Sequence, residues 1–228
     1  MNRVLYIQTI KKECAFLEQD GYIFNQIENN ICYTKDLETE GFRISFSWLE
    51  YGDKFVTQGL TVEKRFNIVE WEIQKVLGGE LVNYYTIHKS PSVDIDYIPK
   101  ELEYLIQGDN IRFNLNTVND IELFGELVKV FYSKTALDFF KNYENLDTVN
   151  KQLKELLVAK QIQTVLTSID NTTILRFYVI AVISVNNPIK DFFNETYFPY
   201  IKANLDDEIN KIESDRFKLL QNNLHSNA

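Results

Sequence analysis

The sequence predicts an α+β protein in which an N-terminal antiparallel four-stranded meander is flanked by helices and followed by a mainly helical C-terminal half. Residues 42–62 alternate apolar and polar side chains with the two-residue period of half-buried strands. From Thr117 onward, apolar residues recur every three or four positions, as on one face of a helix. We therefore expect a sheet domain over residues 1–115 and a helical subdomain over residues 116–228, or one continuous domain.

The first 34 residues predict one helix and two short strands. Helical spacing over residues 3–19, followed by Gly21, indicates an amphipathic helix. The apolar positions of this helix are Ile7, Ile10, Cys14 and Leu17. Residues 22–27 and 31–34 have the composition of strands, and the pair Asn29-Asn30 favours a turn between them.

The central hairpin, residues 42–62, organises the predicted sheet. Gly52 allows the positive φ of a tight turn after the first strand, and residues 54–62 resume with β-prone side chains. One face of the first strand carries four apolar residues, Phe42, Ile44, Phe46 and Trp48. We expect this face to be buried, with Phe46 and Trp48 in the core.

A second helix is predicted after the meander. Asn67 and Glu70 have the spacing of an N-terminal capping box, and Gly78-Gly79 ends the helix. We expect the first two helices to cover one face of the sheet, which leaves the opposite face in need of another partner. Between residues 80 and 108 we expect a strand over residues 81–87 and a short helix over residues 100–107.

The second half of the chain predicts a series of helices. One long helical segment begins at Thr117, and another begins at residues 146–148. Residues 172–185 are ambiguous, because their β-branched content favours a strand whereas their length favours a buried helix; we assign them to a helix. Further helices are predicted after Pro188 and over residues 205–224.

Charge and cysteine content restrict the partners and the compartment. A formal net charge of −9, with scattered basic residues, disfavours nucleic acid and favours a basic macromolecular partner. The most apolar run, residues 174–185, is too short to span a bilayer, which takes about 20 residues. We expect Cys14 and Cys32 to be reduced thiols, and residues 1–20 lack the pattern of a secretory signal, so the sequence predicts a cytoplasmic protein without a membrane partner.

The residues that could carry chemistry are few, and each has a simpler structural interpretation. His88 has no neighbour at the spacing of a catalytic triad, and His225 lies near the C-terminus. The pair Asp94 and Asp96 could hold a divalent cation, although a solvated edge strand would show the same alternation. The acidic run at residues 206–208 suits the start of a helix. The sequence therefore predicts no catalytic residue, cofactor or metal site.

Two acidic rims are the candidate partner-binding sites. In a meander, the first and third connections lie at one end of the sheet and the second connection lies at the other. Glu50 and Asp53 are therefore expected at one rim, and Glu38 and Glu40 at the opposite rim. Charge reversal at these loops is expected to slow association with a basic partner without lowering the melting temperature.

Three segments resemble the small α+β immunity proteins that bacteria encode beside polymorphic or contact-dependent toxins. They read FLEQDGYIF, FRISFSWLEYGDKF and KRFNIVEWEI and lie within the first third of the chain. The resemblance implies a non-catalytic, cytoplasmic protein that binds a toxin domain and neutralises it. The alternative is an enzyme or a small-molecule-binding protein with a pocket between the sheet and the helical half.

Overall fold

The computed structural model describes residues 2–52, 54–81, 85–89, 95–107, 110–158, 171–184 and 188–225. These residues form an α+β protein with an antiparallel sheet and a mainly helical C-terminal half, as predicted. The strands within them are β1 (Ile23–Ile27), β2 (Asn30–Asp36), β3 (Glu40–Tyr51), β4 (Lys54–Phe66), β5 (Ile87–Lys89), β6 (Tyr104–Gln107) and β7 (Asn110–Asn114). They form one sheet with the order β1-β2-β3-β4-β7-β6, and β5 pairs with β4 outside this order.

Helices precede, interrupt and follow these strands. Those in the described residues are α1 (Arg3–Glu13), α2 (Ala15–Gln19), α3 (Asn67–Leu77), α4 (Val118–Phe131), α5 (Leu137–Asn142), α6 (Leu146–Val158), α7 (Asn171–Ile183), α8 (Pro188–Phe192), α9 (Phe198–Ala203) and α10 (Glu208–His225). The first predicted helix is thus divided at Cys14 into α1 and α2. The helical assignment of residues 172–185 is confirmed by α7 as far as Ile183.

The predicted meander is confirmed, with one shift in its first turn. Ile27 pairs with Asn30, so the turn residues are Glu28 and Asn29, one position earlier than expected. Glu28 has a φ of 52°, the left-handed conformation that the turn requires. Gly52 has a φ of 67° after β3, as the sequence predicted.

The apolar face of β3 is buried under α1 and α4. Ile44, Phe46 and Trp48 are each at most 2% exposed, whereas Phe42 at the strand's end is partly exposed. The ring of Tyr6 in α1 lies 5.6 Å from that of Trp48, and the ring of Phe124 in α4 lies 5.2 Å from that of Phe46. The expectation that α3 would be the second covering helix is wrong, because α4 takes that place and α3 packs with α7 and α10.

A β-bulge in β4 reverses which residues point inward. Phe55 and Thr57 are buried, but the next buried residues along the strand are Leu60 and Val62, so two consecutive residues lie on the outer side. The second of them, Gly59, has a φ of 69°, which only glycine adopts at little cost. Because of this bulge, Lys64 lies on the buried side of the strand.

The short helix predicted over residues 100–107 is wrong, because this segment contains β6. Tyr104 pairs with Phe113 and Ile106 with Ile111, so β6 and β7 form a hairpin. The strand predicted over residues 81–87 meets the structure at Ile87, where β5 begins, and residues 82–84 lie outside the described ranges.

The chain divides into two compact units. The first comprises Met1–Lys64 and His88–Asn142, and the second comprises Arg65–Ile87 and Tyr143–Ala228. These limits differ from the predicted boundary at residues 115 and 116, because α4 packs with α1 in the first unit while α3 packs with helices of the second. The division into separately folding domains stays a prediction.

Aromatic and aliphatic side chains from its helices form the core of the second unit. Tyr178 of α7 lies at its centre, with the rings of Phe193, Phe198 and Phe217 between 5.2 and 5.5 Å from its own. Such edge-to-face contacts add to the free energy of burying large apolar area. The helical periodicity read from the sequence therefore reflects a buried core.

Replacing Phe46 with alanine tests the register of β3. We expect Phe46→Ala to lower the free energy of unfolding by roughly 3 to 5 kcal/mol, because the substitution leaves a cavity against Phe124. Tyr51→Ala removes an exposed aromatic residue from the same strand and should change the stability by less than about 0.5 kcal/mol. Equal losses in denaturant unfolding would contradict the register.

Candidate functional site

The two predicted acidic rims lie at opposite ends of β3. Antiparallel pairing of β2 with β3 places the connection that contains Glu38 at one end and the Gly52 turn at the other. Glu38 and Glu50 are both exposed. Asp53 lies outside the described residues. The structure therefore does not bring the four predicted residues together into one site.

Glu40 has a structural contact that the sequence did not reveal. Its Oε2 lies 2.6 Å from Nζ of Lys64, whose side chain is only 2% exposed. The same ammonium lies 5.1 Å from the ring centroid of Phe42. Because a buried ammonium depends on its carboxylate partner, Glu40 belongs to the fold's interior, and the expectation that its charge could be reversed without loss of stability does not hold.

The outer face of the central strands is polar and internally hydrogen-bonded. Arg43 donates two hydrogen bonds to the carboxylate of Glu63, and the hydroxyls of Ser45 and Thr61 lie 3.0 Å apart. These side chains are partly exposed. Since they satisfy one another, this face needs no cover, in contrast to the expectation that it must find a partner.

The outer strand β6 is the most exposed apolar part of the sheet. Tyr104 is 40% exposed, Leu105 59% and Ile106 48%, and Gln107 is also exposed. Because successive residues of a strand point to opposite faces, the exposure of all four means that neither face is covered here. In the strand order, β6 pairs with β7 on one side and is terminal on the other. Its free edge can therefore receive a further strand.

The opposite outer strand, β1, is better protected. Its exposed apolar residues, Ile23 and Ile27, are separated by Asn25 and belong to one face. On the other face the ring of Phe24 packs 5.4 Å from that of Tyr33, with the ammonium of Lys11 5.1 Å away. Of the two outer strands, β6 therefore offers the more accessible apolar edge.

A cavity of about 590 Å³ lies within the second unit. One face of α6 forms a wall of this cavity, and Ile68, Ile183 and Ser184 also line it. Its volume is in the range of small-molecule sites, which are typically about 300 to 1,000 Å³. The lining includes Lys151 and Lys154, so the cavity combines charged and apolar surfaces.

A buried ion pair links α3 to α7. Nε of Arg176 lies 2.9 Å and 3.1 Å from the two carboxylate oxygens of Glu70, and the hydroxyl of Thr86 donates to the same carboxylate at 2.7 Å. The predicted capping box is therefore wrong: Glu70 is fully buried, and the side chain of Asn67 accepts a hydrogen bond from Arg65. Its inaccessibility makes the pair a structural element of the core.

The remaining candidates offer no catalytic arrangement in the part of the chain that is described. Nothing is described for the side chains of His88 and His225, and Asp94 lies outside the described residues. The described residues contain no group of three side chains that could hold a metal ion. Cys14 and Cys32 are free thiols, and burial raises the pKa of Cys14 to about 12, which keeps this thiol protonated and unreactive.

Comparisons with known proteins return no relative of this chain. No family model, curated protein or solved structure matches it. Among the described helices, none has the length and apolar character that crossing a membrane requires.

Removing the carboxylate of Glu40 should distinguish it from the other acidic residues of the loops. We expect Glu40→Ala to lower the free energy of unfolding by roughly 1 to 3 kcal/mol, because Lys64 loses its buried charge-assisted contact. Glu38→Ala and Glu50→Ala, measured by the same thermal and denaturant unfolding, serve as matched controls and should change stability by less than about 0.5 kcal/mol. Equal effects at all three positions would refute the structural role of Glu40.

The pair of Glu70 and Arg176 should behave as one energetic unit. Glu70→Gln or Arg176→Met alone should cost roughly 3 to 5 kcal/mol, whereas Glu70→Leu combined with Arg176→Met should cost much less than the sum. Glu126→Gln, in the exposed pair with Lys129, should cost less than about 1 kcal/mol. Additive losses in a double-mutant cycle would show that the two side chains are not coupled.

Proposed function

We propose that this protein is a non-catalytic binding module for another protein, which it captures as an extended strand along β6. The observation that carries the proposal is the edge of β6, where Tyr104, Leu105 and Ile106 are exposed next to a free main-chain edge. An added strand would pair with the main chain of β6 and cover these side chains. Monomeric proteins usually protect such an edge, so an unprotected one favours use by a partner.

The charge of the chain favours a basic partner. Glu101 and Glu103 are exposed immediately before β6, and the whole chain carries a net charge of −9. A second copy of the chain would bring like charges together at this edge, whereas a basic polypeptide would be attracted to it. The exposed rim residues Glu38 and Glu50 would add to the long-range attraction.

The biological role that we propose is neutralisation of a basic toxin domain by a bacterial immunity protein. Support comes from the resemblance carried by residues 16–24, 42–55 and 64–73, together with the acidic charge and the open edge. The thiols of Cys14 and Cys32 fit a cytoplasmic location, where cysteines stay reduced. An inhibitor of this kind acts by occupying the surface of its target and needs no catalytic group of its own.

The edge of β6 is tested by removing its apolar side chains. Immobilised protein should capture a basic polypeptide from the lysate of its host, and Leu105→Asn with Ile106→Asn should weaken binding of that polypeptide about tenfold or more. Leu219→Asn, at an equally exposed leucine of α10, should leave the affinity unchanged. Amide hydrogen exchange at residues 104–107 should slow in the complex, because the added strand protects those amides.

The same complex tests the electrostatic part of the proposal. The association rate should fall steeply with added salt while dissociation changes little, and Glu38→Lys or Glu50→Lys should slow association. Binding that survives the β6 substitutions, with protection confined to other segments, would overturn capture along this strand. An association rate indifferent to salt and to both lysine substitutions would overturn the role of the acidic rims.

A further inference from the structure

The cavity in the second unit has the composition of a site for a small anion with an apolar part. Five of its lining residues come from α6: Leu146, Asp147, Asn150, Lys151 and Lys154. Their spacings of one, three and four place them on one side of the helix, facing the cavity together. Ile68 and Ile183 supply apolar surface from α3 and α7.

The two lysines of this wall lack carboxylate partners within the described structure. Other helical lysines pair with an acidic residue three positions before them, as Lys75, Lys129 and Lys218 do. Glu155 follows Lys151 at the four-residue spacing that allows an ion pair, yet no described carboxylate lies within 4.0 Å of Lys151 or Lys154. Both ammonium groups are thus available to a ligand.

The lysines decide the sign of the charge around the cavity. Lys151 and Lys154 carry two positive charges, and Asp147 is the one acidic residue among the described lining residues, which leaves one net positive charge. The start of α3 and the end of α7 add partial charges of opposite sign, each about half a unit, which offset one another. In a chain with a net charge of −9, this wall is a local positive region.

We propose that this cavity binds a small organic anion, a carboxylate or a phosphate monoester. Its acidic group contacts Lys151 and Lys154, and its apolar part packs against Ile68 and Ile183. The proposal is independent of the partner strand at β6, because it concerns other residues and another class of ligand.

Three probes separate the contributions of charge and apolar contact. Phenyl phosphate carries both features, inorganic phosphate carries the charge alone, and benzyl alcohol carries the ring alone. We expect phenyl phosphate to bind in a saturable manner, with the two single-feature probes about tenfold weaker or more, as measured by NMR titration. Benzyl alcohol that binds as tightly as phenyl phosphate would overturn the role of the lysines.

Two variants locate the site. Lys151→Gln with Lys154→Gln should raise the Kd of phenyl phosphate about tenfold or more, whereas Lys190→Gln with Lys211→Gln, at two exposed lysines of the same unit, should not. Ile68→Trp, which enlarges a half-exposed side chain in the wall, should also weaken binding. Absence of saturable binding up to about 10 mM, or equal effects of the two lysine pairs, would overturn the proposal.

Discussion

Tyr6 joins α1 to the sheet through contacts that the rest of the first unit depends on. Its ring stacks on that of Phe55 at 4.6 Å and also contacts Trp48, while its hydroxyl lies 2.6 Å from the buried hydroxyl of Thr57. Burial raises the pKa of Tyr6, so the phenol stays neutral. One residue therefore satisfies the polar group of β4 and fills the apolar layer beneath β3, and it fixes where α1 and its neighbour α4 can lie.

The parts of the fold that the sequence predicted are those with a long, regular pattern. The alternation in β3 placed Phe46 and Trp48 in the core, and the spacing in α4 identified a helix that Thr117 and Asp120 cap. The four residues of β6 are too few to show a period, and Pro99 before them suggested a helix instead. Strand pairing with β7, which is tertiary information, decides this segment.

The predicted acidic residues illustrate the same limit. Antiparallel pairing was enough to place Glu38 and Glu50 at opposite rims, because it follows from topology alone. The contact of Glu40 with Lys64 depends on the bulge in β4, and no local pattern announces the inward direction of that lysine. Glu70 was mistaken for a capping residue because the spacing of a capping box is also the spacing of one helical face, and its partner lies 106 residues away.

The bulge at Gly59 also determines how this strand tolerates change in length. A strand without a bulge has a single phase, so one inserted or deleted residue exchanges the inner and outer sides of everything beyond it. In β4 the native chain already contains such a change of phase, with Thr57 and Leu60 inward on either side of it. Deleting Gly59 would restore strict alternation and turn Lys64 outward and Glu63 inward. Descendants of this sequence can therefore vary in length at the loops, whereas β4 must keep its number of residues.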